Sequence, residues 1–313
     1  MPSDMTNKLI NITNAVAYQD GGIRLFDLDA SEDSQISVIN SLYTIGHSLI
    51  EHEVPRMTQV ISGKPAYNQG LGFQWIVGGA LQANYEQDSL NLSTAYTATN
   101  DASGCWDVAL AAGVDCLVMV EANVVGSHID YANTDVRVAG FYDAAIAGNP
   151  DCDVWIYEGW LSADGTDSSA GSYGATFGGT SNVPDFDGWA ASIESDQKPY
   201  WDSIKSTATA TGRNIRIIRT AHALVDLKDA IATSRVPGFT SMSDFFVDMV
   251  HPTEVGRYYT ACVVYAYIYN DTPVGKPITT YKNEFEFYDE PTAAQALAFQ
   301  TIAYESYLSR RAV

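Results

Sequence analysis

The stretch Ser37-Val-Ile-Asn-Ser-Leu-Tyr-Thr-Ile45-Gly46-His47-Ser48-Leu49 decides how this chain is read. A strand-length, largely apolar run begins at Ile36 and ends at a glycine, and a serine comes two positions later. Near-continuous apolarity is what a strand buried on both faces requires. The signature recurs downstream. Val114-Asp-Cys-Leu-Val-Met-Val120 is nearly all apolar, Val154–Tyr157 and Ile215–Arg219 are shorter cases, and Lys64–Gln69 reads as a short strand closed by Gly70-Leu71-Gly72. Helical spacing fills the intervals at Leu49–Ile61, Asp130–Ala147 and Trp189–Thr211, and again at Glu290–Arg311. Buried strands alternating with helices predict a three-layer α/β/α sandwich with a central parallel sheet.

Two segments stand outside this pattern. Residues 1–34 are polar and irregular and read as an N-terminal extension, with a turn at Asp20-Gly21-Gly22. Their acidic run Asp27–Asp33 lacks the glycine and distal glutamate of a calcium loop and reads as a solvated loop. Residues 35–313 then form one domain. Within it, residues 162–188 are rich in Gly, Ser, Thr and Asp. A loop of that length inside a domain often serves as a lid or binding loop.

Charge excludes some partners. The 313 residues carry 17 Lys and Arg against 38 Asp and Glu, a net charge of −21 at pH 7. Phosphate recognition needs clustered cations, and anionic lipid repels such a chain, so neither a nucleic-acid nor a membrane partner is expected. No apolar run reaches the roughly 18 residues of a membrane-spanning helix. Cys105, Cys116, Cys152 and Cys262 form no Cys-x-x-Cys or Cys/His cluster, so no metal site is expected. Most read as buried free thiols, with Cys105, in a loop-like segment, the one placed to pair with a neighbour. The first residues lack the basic and apolar parts of a signal peptide. The expectation is a secreted or periplasmic protein whose signal has been removed, with the cytoplasm as the other option.

In open parallel sheets, ligands bind at the carboxyl ends of the strands. Gly46-His47-Ser48-Leu49 comes after the first strand, Gly70-Leu71-Gly72 after the second and Glu121-Ala122-Asn123 after the third, and Asp248-Met-Val-His251-Pro252 stands late in the chain before a helix. Serine needs a base to become a nucleophile. His251 is the candidate base, and Asp248, three residues earlier, is placed to orient it. Ser48, opening a helix after a strand, has free backbone N–H groups to meet a developing anion. Asn123 and a glycine after strand two are candidate oxyanion donors.

These blocks resemble those of the SGNH, or GDSL-type, serine hydrolases. Gly46-His47-Ser48-Leu49 is similar to the family's Gly-Asp-Ser-Leu, with His47 in place of Asp. Gly70-Leu71-Gly72 sits where the family's glycine block falls, Glu121-Ala122-Asn123-Val124 where Gly-x-Asn-Asp is usual, and Asp248-Met-Val-His251 matches Asp-x-x-His. The resemblance spans roughly residues 36–270 and implies a flavodoxin-like hydrolase fold. It also implies Ser48 as nucleophile, His251 as base, Asp248 as its orienter, and an oxyanion hole from the Ser48 N–H, Asn123 and a glycine. Gly72 is preferred for that glycine, with Gly70 as the turn residue.

The resemblance implies a carboxylic ester hydrolase without cofactor. The polar, aromatic insertion favours a small acyl group on a carbohydrate. Tyr157 and Trp160, together with Tyr173–Phe177, are candidates to stack on a sugar ring. His47 and Glu121 are candidate pocket residues. A lipase or thioesterase is the alternative within hydrolases, and a non-catalytic glycan-binding module the alternative outside them. The sequence does not fix the oligomeric state.

Overall fold

The computed structural model describes residues 16–19, 22–25, 39–65, 70–123, 125–165, 184–278 and 290–311. The chain divides into two compact units, Met1–Ile36 and Ser37–Val313. In the first, β1 (Val16–Gln19) pairs antiparallel with β2 (Gly22–Leu25), with Gln19 opposite Gly22. The sequence reads as irregular there because four-residue strands are too short to show a period. The acidic run Asp27–Asp33 lies outside the described residues.

The second unit holds β3 (Leu42–Gly46), β4 (Leu71–Trp75), β5 (Tyr96–Thr97), β6 (Cys116–Met119), β7 (Asp153–Tyr157) and β8 (Ile215–Ile218). They form one sheet in the order β5-β4-β3-β6-β7-β8. All neighbours run parallel except the two-residue edge strand β5, which is antiparallel to β4. Between the strands run α1 (Glu53–Ile61), α2 (Leu81–Tyr85), α3 (Trp106–Ala111), α4 (Val125–Tyr131) and α5 (Thr134–Gly148). Then come α6 (Phe186–Ser192), α7 (Lys198–Ala210), α8 (Thr220–Ala232), α9 (Glu254–Tyr269) and α10 (Ala293–Arg310). Among the described residues no helix is long and apolar enough to cross a membrane.

Strand alternation sorts the side chains into two cores. Cys116, Val118, Trp155, Tyr157 and Ile218 pack with α1, α8, α9 and α10 on one face. Leu117, Met119, Val154, Ile156, Ile215 and Ile217 pack with α3, α5 and α7 on the other. Apolar runs without alternation therefore mark strands covered on both sides, and the second unit is the expected α/β/α sandwich. All four cysteines are buried and free, Cys105 included.

Three expected boundaries shift. The second strand starts at Leu71 rather than Lys64, and residues 66–69 of the expected strand lie outside the described residues. Glycine reads as turn punctuation, yet Gly72 is inside β4 because the Tyr43 ring lies against it. A Cβ there would stand 2.3 Å from Tyr43 Cδ2. Glycine within a strand marks such a close approach. Helix α1 starts at Glu53, not Leu49, because Glu51 sits at φ 38°, in the left-handed region that breaks a right-handed run. The expected helix Trp189–Thr211 is α6 and α7 joined through one π-helical segment, Ile193–Gln197.

Buried polar groups tie the carboxyl ends of the strands together. The Ile76 N–H and the Asn84 side-chain amide each donate to the Gly46 carbonyl at 3.0 Å. His47 Nε2–H donates to the Glu121 carbonyl at 3.0 Å, joining the end of β3 to the end of β6. Glu121 Oε1 accepts from the Leu81 and Ala122 N–H groups at 2.9 and 2.7 Å, and its Oε2 accepts from the Thr134 hydroxyl at 2.7 Å. Burial raises the Glu121 carboxyl above its ordinary value, and these hydrogen bonds pull it partly back.

This packing has measurable consequences. Gly72→Ala should lower the urea-unfolding free energy by about 1–3 kcal/mol through overpacking against Tyr43, and an unchanged midpoint would contradict the packing. Burial is the main force holding the His47 imidazole at about 4, below its ordinary 6.5. The hydrogen bond to Glu121 opposes that shift, and His251 and His128 add to it. The unfolded chain thus takes up a proton between these values that the folded chain refuses. Stability from this group is full above 6.5 and falls by about 3 kcal/mol as pH descends to 4. Relative to His47→Asn, the wild type should lose that much more between neutral pH and about pH 4 in urea titrations. Equal losses would contradict it.

Candidate active site

Ser48 lies two residues beyond β3 in a tight turn. The Ile50 and Glu51 N–H groups both donate to the His47 carbonyl, at 3.1 and 3.0 Å. Residues 49–52 separate it from α1, so Ser48 does not open the helix as expected; the Glu51 kink intervenes.

His251 and Asp248 lie on the loop before α9. The loop closes on itself: the Val247 N–H donates to the His251 carbonyl at 2.8 Å, and Phe246 bridges Pro252. Thr253 caps α9 by accepting from the Gly256 N–H at 3.1 Å. Asp248 Oδ1 accepts from the N–H groups of Val250 and His251 at 2.8 and 2.6 Å. This is the local turn that aspartate readily forms. Its Oδ2 accepts from His251 Nδ1–H at 2.8 Å. Partial burial alone would raise the Asp248 carboxyl, but these hydrogen bonds hold it below its ordinary value.

An ionised carboxylate only accepts, so the His251 proton sits on Nδ1 and Nε2 is left as acceptor. The Ser48 hydroxyl donates to that Nε2 at 2.8 Å, across 203 positions of sequence. Ser48, His251 and Asp248 are therefore brought together in one relay. Such a relay lets histidine withdraw the serine proton as a bond forms.

The other predicted residues are placed differently. Gly72 pairs with Tyr43 within β4, and Gly70 precedes that strand; the carboxyl end is Trp75, opposite Gly46. The apolar pattern sets the strand too early, and with it the glycine block. Beyond β4 the chain enters the turn Ile76–Gly79, where the Gly79 N–H donates to the Ile76 carbonyl at 3.0 Å and Gly78 takes φ 61°. Gly78 and Gly79, not Gly72, are thus the glycines that follow the carboxyl end of the second strand. Their signal is present in the sequence as a glycine pair after the apolar run Phe73–Val77. Asn123 is half-buried just beyond β6, before α4. Val124 lies outside the described residues.

The four candidate pocket residues are buried. His47 turns its ring to the Glu121 carbonyl, and Glu121 turns its carboxylate to the backbone of the neighbouring loops. Tyr157 and Trp160 are core residues and cannot stack on a substrate. The Tyr157 hydroxyl donates to the Leu49 carbonyl at 3.2 Å, and the Trp160 indole N–H to the Val250 carbonyl at 2.8 Å. The insertion is described only at residues 162–165 and 184–188, and Tyr173–Phe177 lies outside the described residues.

Sequence reasoning also misses a buried ionic cluster at the ends of β7 and β8. Glu158 meets Arg219 at 2.6 Å and His222 Nδ1 at 2.8 Å, while His222 Nε2 meets Glu194 at 2.8 Å. Arg219 and His222 lie at the start of α8, while Glu158 follows β7 and Glu194 lies in the π-helical segment, so no local motif marks the cluster. Among the described residues no group of three or more His, Cys, Asp or Glu is arranged to hold a metal.

No family model matches the chain, and no curated protein matches it at a significant level. Among solved structures it is similar to a DUF4886 family protein from Bacteroides uniformis ATCC 8492. That match has a TM-score of 0.54 and 14% identity, and covers 86% of this chain and 94% of the other. It is also similar to a GDSL-like lipase from Bacteroides thetaiotaomicron VPI-5482, with a TM-score of 0.34 and 14% identity over 73% of this chain and 85% of that one. The mostly parallel six-stranded sheet between two helical layers is an α/β fold that this chain shares with the DUF4886 family protein.

Proposed function

We propose that this protein is a serine esterase that cleaves carboxylic esters through an acyl-enzyme. One observation carries the reading: the Ser48–His251–Asp248 relay, with both hydrogen bonds at 2.8 Å. Ser48 Oγ attacks the ester carbonyl carbon while His251 Nε2 takes its proton. The tetrahedral oxyanion is held by the Ser48 N–H, the Asn123 side chain and an N–H of the Gly78-Gly79 turn. His251 returns the proton to the departing alkoxide, and a water activated by the same histidine releases the acid.

A small acyl group on a carbohydrate is the proposed substrate. The net charge of −21 favours a neutral ester over an anionic polymer. The stacked pair Trp75 and Tyr96, with centroids 4.5 Å apart at the carboxyl end of β4, leaves Tyr96 exposed as a ring face. Sugars stack on such faces. Buried Tyr157 and Trp160 give this reading no support. An intact relay sets the enzyme apart from a glycan-binding module.

The test is acetate release from acetylated polysaccharides, beside a chain-length series of nitrophenyl esters. Turnover should fall about 10³-fold or more in Ser48→Ala, with short acyl chains preferred. A preference for long chains would shift the assignment to a lipase, and binding of glycans without turnover of any ester would overturn it.

A further inference from the structure

The catalytic dyad is poorly enclosed by its own side chains. The His251 side chain is 33% exposed and that of Asp248 is 54% exposed. Exposed groups are not held by packing, so their geometry rests on the backbone beneath them. That backbone is anchored from one segment. Between Asp248 and His251, the Met249 carbonyl accepts from the Ala163 N–H at 2.8 Å, and the Val250 carbonyl accepts from the Trp160 indole N–H at 2.8 Å.

The same segment reaches the nucleophile. The Tyr157 hydroxyl donates to the carbonyl of Leu49, the residue after Ser48. Gly159 lies on the serine side too: a Cβ there would be 3.6 Å from Leu49 Cδ1 and from the Glu121 carbonyl oxygen at the end of β6. The segment is itself fixed from below, because the Glu158 N–H donates to the Ile218 carbonyl and its carboxylate binds Arg219 and His222. Residues 157–163 therefore join the two halves of a relay whose members are 203 positions apart.

We infer that Trp160 is a positioning residue for catalysis, its indole N–H holding the Val250 carbonyl and thereby the placement of His251 between Asp248 and Ser48. This rests on the esterase reading for its kinetic consequence, but not for its geometry. Trp160 is 1% exposed, so a replacement must keep an aromatic ring in the core. Phenylalanine does so and removes the donor.

The experiment compares wild type, Trp160→Phe and Tyr157→Phe by steady-state kinetics and by proton NMR of the low-field His251 Nδ1–H. Urea unfolding establishes that each variant is folded at the assay temperature. Trp160→Phe should lower kcat about 10- to 100-fold, by analogy with the loss of a hydrogen bond that orients a metal-ligating histidine, with KM changed less than twofold. Its Nδ1–H resonance should broaden or move. Tyr157→Phe should lower kcat less and leave that resonance in place, because its hydrogen bond is on the serine side. A folded Trp160→Phe with kcat within twofold of wild type and an unmoved resonance would overturn the inference. If the wild type turns over no ester, the esterase reading fails, while a moved resonance in Trp160→Phe still upholds the brace and an unmoved one refutes it.

Discussion

A hydrogen bond of 2.8 Å between the Ser48 hydroxyl and His251 Nε2 closes a loop of 203 positions, and most of the fold exists on one side or the other of that contact. Closing so long a loop is entropically costly and has to be offset by everything packed between its ends. The parallel sheet does this. All its major strands point their carboxyl ends the same way, so turns far apart in sequence emerge at one edge. The Ser48 turn leaves β3 at that edge, and α9, packed on the same face as α1, follows the loop that carries His251 back to it.

Buried polar groups then refine what the sheet sets coarsely. His47 and Glu121 each sit beside a residue of the site without entering it. His47 links β3 to β6, and Glu121 links the start of α2 to the end of β6 and the start of α5. A buried carboxylate is tolerated when its oxygens accept enough hydrogen bonds, and Glu121 accepts three. His47 packs its imidazole against the strand ends, with its ring nitrogen on the Glu121 carbonyl. Burial holds that imidazole below its ordinary value.

Much of this is legible in the sequence, and the failures have physical causes. Near-continuous apolar runs locate β3, β6, β7 and β8, because strands covered on both faces cannot alternate. The Asp-x-x-His spacing locates the hydrogen-bonded Asp248–His251 pair, since an aspartate bonding the backbone N–H groups two and three residues on makes its own turn. β4 reads too early because Gly72 looks like a turn, whereas it makes room for the Tyr43 ring. That single slip places the glycines that follow the second strand at Gly70-Leu71-Gly72 instead of Gly78-Gly79. Tyr157 and Trp160 look like a sugar platform because aromatics at a strand end serve equally as core. Only the three-dimensional contacts show their polar atoms turned to the Leu49 and Val250 carbonyls. The Glu158–Arg219–His222–Glu194 cluster has no linear signature at all.

The central claim is that Ser48 is an activated nucleophile, and reaction with an organophosphate tests it without knowledge of the natural ester. The protein is treated with diethyl nitrophenyl phosphate, digested and sequenced by mass spectrometry. The account predicts one phosphoryl group per chain, on the peptide bearing Ser48, and none in His251→Ala. A wild-type protein left unmodified, or modified elsewhere while Ser48 stays free, would contradict it.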